Sequence, residues 1–195
     1  MFNDRSTPAA LLATRRSGKP RDMVAPGPDA TQLRAILSSA IRVPDHGKLS
    51  PWRFVVVGPD QRDALGAVLT AALYASKPDA GRVEIAAAEA FAHQAPTLIV
   101  VLSSPVQPSK IPLWEQELSV GAAIMTLLTA ASAHGFVGGW ITGWAAYDDS
   151  VRDAFGVMGE RIAGFVFLGT PARALEERPR PDYTHIVSDW AIDRG

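Results

Sequence analysis

The spacing of apolar residues divides the chain into helical and extended segments. Apolar positions three and four residues apart predict helices, and short apolar runs rich in β-branched or aromatic residues predict strands. The predicted helices cover 8–14, 29–43, 59–75, 82–94, 113–134 and 149–156. The predicted strands cover 52–57, 97–102, 137–141 and 161–168.

These segments favour an α+β domain. Helices and strands are mixed without strict β-α-β alternation, and no G-x-G-x-x-G follows a predicted strand, which argues against a dinucleotide fold. The run at 97–102 is apolar almost throughout, as in a strand buried on both faces. Locally, Leu11 and Leu12 are expected to face inward, 18–28 to be an exposed loop, and 169–171 to be a turn after the last strand.

Composition narrows the chemistry available to the chain. Its 195 residues are 47% hydrophobic and 20% charged, with a net charge of −1 and no cysteine. Balanced charge provides no basic surface for nucleic acid or an anionic membrane. Disulfides, thiolate metal sites and cysteine nucleophiles are excluded. The histidines lack metal-ligand spacing, so no metal is expected, and redox chemistry would require a bound organic cofactor.

No targeting or membrane-spanning segment is expected. The first eight residues are polar and lack the apolar core of a signal peptide. The longest apolar stretch, 120–133, is too short and too rich in small residues to cross a bilayer. A cytoplasmic protein is therefore predicted.

Two cationic segments could bind an anion. Arg15-Arg16-Ser17 ends the first helix, where two guanidinium groups and a hydroxyl can hold a phosphate. The alternative is a solvated helix end, because arginines there suit the helix dipole. The loop 42–52 is dense in polar groups and stiffened by prolines, which suggests binding, although a surface turn anchored by Trp52 has the same pattern.

The segment 137–143 could lie against a flat ring. Its glycines permit close approach, and free backbone amides could donate hydrogen bonds, although a tight turn into a buried strand explains them equally. The last strand is followed by 169–173, which adds an arginine. The acids in 114–117 open the longest helix and suit its positive end.

The order of these motifs resembles one family. The chain carries R-R-S after the first helix, P-W before the first strand, W-E-Q-E-L-S-x-G-A-A in the long helix, then G-G-W-I-T-G and G-T-P-A. Together, from about Leu11 to Arg173, they resemble the nitroreductase family of FMN enzymes, most closely its compact bacterial branch.

The resemblance implies a three-layer α+β fold with a central, mainly antiparallel sheet flanked by helices. It implies an intertwined homodimer with the long helix in the interface and two FMN sites, each lined by both subunits. Residues 1–195 would form a single FMN-binding domain, with a tail over about 174–195 that wraps the partner subunit.

Matched positions imply the flavin contacts. The segment Arg15, Arg16 and Ser17 matches residues that hold the phosphate, ribityl chain and pyrimidine side of FMN. Arg42 and His46 match positions supplied by the partner subunit.

Lys48 lies near these two positions. Lys48 and His46 stand where small polar residues are common in larger members of the family. The identity of the substrate is therefore open. Whether these two side chains contact the flavin or the substrate is open as well.

The rest of the implied site lies near the strand 137–141. Trp140, Ile141 and Thr142, with Gly143, match the strand whose backbone lies against the isoalloxazine near N5. Arg173 matches a phosphate-binding cation. No catalytic side chain is expected, because the flavin carries the hydride chemistry.

The implied activity is reduction of nitroaromatics, quinones or similar electron-poor acceptors by NADH or NADPH, in a ping-pong cycle through flavin N5. Cationic side chains would stabilise the phosphate and the charge of the reduced flavin. Two alternatives use the same fold. One is a non-catalytic protein that binds or sequesters flavin, and the other is a relative with specialised chemistry, such as flavin fragmentation or substrate dehydrogenation.

Overall fold

A computed structural model describes residues 2–190; Met1 and 191–195 lie outside the described residues, and so does that part of the predicted tail. The helices are α1 (Pro8–Thr14), α2 (Ala30–Ala40), α3 (Arg62–Ser76), α4 (Arg82–Phe91), α5 (Leu113–Ala133), α6 (Asp149–Asp153) and α7 (Tyr183–Ile186). The strands are β1 (Met23–Val24), β2 (Trp52–Val57), β3 (Thr97–Ser103), β4 (Val137–Ile141) and β5 (Arg161–Pro171).

The strands form one antiparallel sheet. β3 lies between β2 and β5, and β5 also pairs with β4 and, at its end, with β1. β5 is the longest of these strands and pairs with β1, β3 and β4. The predicted antiparallel sheet is confirmed.

Alternating side chains of β3 face two hydrophobic cores. Leu98, Val100 and Leu102 belong to a core that includes residues of α3 and α4, whereas Ile99 and Val101 belong to one that includes residues of α2 and α5. All seven residues of β3 are buried, as its apolar sequence predicts. Helices therefore cover both faces of the sheet, and the three-layer prediction is confirmed.

Local signals explain the start of α2, the end of α5 and the start of α6, which lie close to their predicted positions, whereas α2, α4 and α6 each end about three residues early. The Asp29 carboxylate accepts a hydrogen bond from the Gln32 backbone N–H at 2.8 Å, and the Gln32 side chain accepts one from the Asp29 N–H at 3.0 Å. Gly135 has a φ of 93°, a conformation that favours glycine and ends α5. Asp148 caps α6.

Three local predictions were wrong. Leu12 is 67% exposed and only Leu11 of the pair is buried, because α1 lies at the surface. The segment 18–28 is not wholly exposed, since Met23 is buried and its short strand pairs with the end of β5. Residues 169–171 continue β5 instead of forming a turn, because they find backbone partners in β1 and β4.

One face of α5 leaves apolar groups exposed. Trp114, Leu118 and Met125 are 66%, 53% and 41% exposed, and an added Cβ at Gly121 would meet no atom within 4 Å. These four positions, here called the α5 stripe, share a face by their spacing.

No helix within residues 2–190 has the length and apolar character needed to cross a membrane.

Candidate functional site

The segment after α1 lies against the edge of β4 that does not pair with β5. The Gly18 backbone N–H donates to the Gly138 carbonyl at 3.1 Å. A Cβ on Gly139 would lie 2.7 Å from the Gly18 carbonyl oxygen, so this close approach requires glycine. The contact places Arg16 and Ser17 beside β4.

A polar cleft of about 320 Å³ lies at this contact. Its lining includes Ser17, two carboxylates (Asp22 and Glu176) and five cations, which are Arg16, Lys19, Arg21, Arg173 and Arg178. The surplus of positive charge favours an anionic ligand. We call it the cationic cleft.

Asn3 fixes the backbone of Arg16. The Asn3 carbonyl oxygen Oδ1 accepts from the Arg16 N–H at 2.8 Å, and Asn3 Nδ2 donates to the Arg16 carbonyl at 3.3 Å. Arg15 Nη1 donates to the Ser17 hydroxyl at 3.2 Å. Burial, followed by the nearby charges of Arg16 and Arg180, lowers the pKa of Arg15. A bound anion would offset this desolvation and repulsion.

The C-terminal segment contacts Arg16 through one backbone carbonyl and one carboxylate. Arg16 Nε donates to the Glu176 carbonyl at 2.8 Å and lies 3.6 Å from Glu177 Oε1. Lys19 Nζ lies 3.7 Å from Glu176 Oε2, and Arg180 Nη2 lies 3.5 Å from Glu177 Oε1. This part of the tail contacts its own chain, and its acids balance part of the positive charge.

Sequence reasoning missed several of these residues, including Lys19 and Arg21 of the cleft lining. Asn3 precedes the predicted elements and is recognisable only by its contacts. Arg178 lines the cationic cleft and Arg180 contributes positive charge at Arg15. The R-P-R-P pattern that contains both arginines was a signal that could have suggested a further anion contact.

Trp140 packs back onto β5. Its Nε1 donates to the Ala163 carbonyl at 3.0 Å, and a Cβ on Gly164 would lie only 2.1 Å from that nitrogen. The indole is 42% exposed and, with Thr142, lines a cleft of about 510 Å³ beside α5. We call it the indole cleft.

The end of β4 separates this cleft from a second one. Ile141, Thr142 and Gly143 line an apolar cleft of about 390 Å³ against α3 and α4. Gly143 has a φ of 71° and open space around its Cα, so its backbone is accessible. The predicted residues of this strand therefore occupy one continuous, accessible strand end.

Arg42, His46 and Lys48 lie outside the cationic cleft. All three are exposed, and none lines that cleft. His46 Nδ1 lies 2.6 Å from Glu115 Oε2 at the start of α5. The structure thus brings Arg16, Ser17 and Arg173 to one cleft, whose lining includes neither Arg15 nor residues 140–143. Arg42, His46 and Lys48 lie farther along the chain, and their contribution to a partner's site stays a prediction.

Known proteins share both sequence and fold with this chain. The model of the Nitroreductase family matches residues 12–170. The Escherichia coli protein named "Putative NAD(P)H nitroreductase YdjA" is 38% identical over 180 residues, which cover 91% of this chain and 96% of that protein.

Two solved structures resemble the fold. The nitroreductase-like family protein from Bacillus cereus has a TM-score of 0.80 at 20% identity, covering 95% of this chain and 96% of that one. A nitroreductase with bound FMN from Bacteroides fragilis has a TM-score of 0.67 at 22% identity, covering 91% and 96%. The family match spans most of the chain, and the chain therefore belongs to the nitroreductase family of oxidoreductases.

Proposed function

We propose that this protein is a homodimeric, FMN-dependent NAD(P)H oxidoreductase that reduces nitroaromatics, quinones or similar electron-poor acceptors in ping-pong order. The observation that carries the proposal is the cationic cleft beside β4, together with the open backbone of Gly143 at the end of that strand. A flavin phosphate requires cations and hydroxyl donors, and its flat ring requires backbone without protruding side chains.

The residues present fit FMN. Arg16, Ser17 and Arg173 would hold the phosphate through charge-assisted hydrogen bonds. The accessible backbone from Trp140 to Gly143 would orient the ring by hydrogen bonding. When bound, FMN supplies the centre that accepts and releases hydride, so no nucleophilic side chain is required.

The indole cleft is suited to the electron acceptor. Trp140 and Tyr147 provide exposed aromatic surface, while Thr142 provides a hydroxyl. A flat, electron-poor ring would stack on such surface and exclude water from the strand end. The names of the relatives support a nicotinamide donor, and the bound FMN of the Bacteroides fragilis structure supports the cofactor.

The site is proposed to be shared between two subunits. Arg42, His46 and Lys48 lie apart from their own cationic cleft, and His46 contacts Glu115 near the α5 stripe. A second copy packed on that stripe would cover its apolar groups and could receive this loop in its site.

The dimer can be tested by Leu118→Glu. A charge in the middle of the α5 stripe should split the dimer, because an unpaired carboxylate cannot be buried in an apolar interface. Light scattering after size exclusion should then give one copy of the 20.8 kDa chain instead of two. Val83→Glu, on an exposed position of α4, is the control. A wild-type monomer that retains FMN would contradict the shared site.

The activity is tested by anaerobic absorbance titration of the FMN-loaded protein with NADH and then NADPH. Bleaching of the flavin, followed by reoxidation with a quinone or nitroaromatic, is expected. Bound flavin that neither donor reduces would indicate the binding protein instead. Reduction without turnover of these acceptors would indicate specialised flavin chemistry. Protein that holds no flavin after reconstitution and desalting would overturn the proposal.

The tail carboxylate should compete with the phosphate. Glu177→Gln removes the charge 3.6 Å from Arg16 Nε and should tighten FMN binding roughly two- to three-fold, a small effect because the pair is solvent-screened. Fluorescence titration of the apoprotein measures the dissociation constant, with the exposed Glu89→Gln as control. Weaker binding would show that Glu177 supports the cleft.

A further inference from the structure

Two side chains one turn apart on α5 hold the loop that follows α2. Glu115 Oε2 lies 2.6 Å from His46 Nδ1, and the Ser119 hydroxyl donates to the Pro44 carbonyl at 2.6 Å. Residues four apart share a helix face, so both contacts come from one side of α5. Helix α5 thus holds the loop through the backbone carbonyl of Pro44 and through the side chain of His46.

The loop itself follows a determined path. The Asp45 carboxylate accepts from the Leu49 N–H at 3.0 Å and from the Ser50 N–H at 2.9 Å. Lys48 and Ser50 have φ values of 56° and 50°, which non-glycine residues adopt when the surrounding structure holds them. With the backbone so held, the orientation of the His46 ring depends on its side-chain contact.

We propose that Glu115 is a positioning residue for His46, an inference that rests on the proposed two-subunit FMN site. The carboxylate holds a proton on Nδ1, which leaves the Nε2 lone pair as a hydrogen-bond acceptor. Within residues 2–190 no group bonds to Nε2, and the ring is 64% exposed. Nε2 therefore accepts a hydrogen bond from a hydroxyl or ring N–H of FMN in the partner's site.

A helix-dipole role alone does not explain the contact. Any carboxylate in the first turn of α5 would favour the positive helix end without touching His46. The 2.6 Å distance is instead that of a short, charge-assisted hydrogen bond that one ring nitrogen donates to the carboxylate. The two roles make different predictions for the histidine tautomer.

Nitrogen-15 NMR of the neutral His46 ring in the apoprotein tests the tautomer without flavin. His46→Asn assigns the resonances. Wild type should show Nδ1 protonated and Nε2 bare, Glu115→Ala should shift the ring toward the Nε2-protonated form, and Ser119→Ala should leave the tautomer unchanged. A wild-type ring protonated on Nε2, or no change in Glu115→Ala, would overturn the inference.

A double-mutant cycle on FMN affinity tests the consequence. His46→Ala and Glu115→Ala should each raise the dissociation constant roughly five-fold, and the double variant should bind no more weakly than His46→Ala. Glu115→Asp should restore part of the loss, and Glu89→Ala is the control. Additive losses would mean that Glu115 acts independently of His46. If wild type binds no FMN, the proposed function fails, and the tautomer still decides this inference.

Discussion

Arg16→Ala is expected to raise the dissociation constant for FMN roughly 10- to 100-fold. A charge-assisted hydrogen bond is worth about 1.5–3 kcal/mol, and each 1.4 kcal/mol is about a factor of ten. The Arg16 side chain is only 15% exposed, so water would not readily replace it. Fluorescence titration of the apoprotein at low and high salt measures the loss, which should shrink as salt screens the charge.

The Arg16 variants test the contribution of the side chain alone. Asn3 holds the Arg16 backbone through both its N–H and its carbonyl, so the path of the segment should survive loss of the side chain. Arg82→Ala, at an exposed position on α4, is the matched control. Arg16→Lys keeps the charge without the planar fork and should lie between wild type and alanine. An unchanged affinity in Arg16→Ala would remove Arg16 from the phosphate site.

Glu160→Gln should lower the free energy of unfolding at pH 7 by about 2–3 kcal/mol, less than for a fully buried pair because the Arg53 side chain is 43% exposed. The Glu160 side chain is 10% exposed and accepts from Arg53 Nε at 3.0 Å and Nη2 at 2.8 Å. It also accepts from the Val157 N–H at 2.8 Å and from the Ser104 hydroxyl. A glutamine cannot accept all of these bonds, so Arg53 would lose its ionic partner.

The same network predicts a pH dependence. The hydrogen bond from Arg53 is the largest cause that lowers the pKa of Glu160 from its usual 4.5 to about 2. The folded state therefore binds a proton less readily than the unfolded state. The stabilisation is fully present above about pH 4.5 and is lost as the pH falls toward 2.

Urea denaturation at pH 7 and pH 3 measures this dependence. Wild type should lose more stability between the two pH values than Glu160→Gln does, because the variant lacks the titrating group. Glu89→Gln, which changes an exposed glutamate, should behave as wild type. Equal pH dependence in wild type and Glu160→Gln would exclude the network as its source.

Local signals determined most elements of the fold. The capping box at Asp29, the apolar run of β3 and the glycine after α5 each act within a few residues, and they lie where predicted. The errors arose where distant backbone decided the outcome. Residues 169–171 read as a turn by themselves but become strand because β1 and β4 supply hydrogen-bond partners.

The residues of the candidate site were also predicted from the sequence only in part. The order of motifs was enough to identify the family and to single out Arg16, Ser17, Arg173 and the end of β4. Asn3, Lys19, Arg21, Arg178 and Arg180 were missed, because contacts across the fold bring them to the site. The bond from Arg16 to the Glu176 carbonyl joins residues 160 positions apart, and no local pattern encodes it.

The sequence by itself determined most helices and strands and the cationic and glycine-rich motifs, because local conformational preferences and side-chain chemistry are properties of neighbouring residues. Only the tertiary structure decided which of those motifs meet. Pairing of β4 with β5, and of the Gly18 segment with β4, creates the cationic cleft, whereas the same fold leaves Arg42, His46 and Lys48 outside it. Those proximities follow from sheet pairing and packing between segments far apart in the chain.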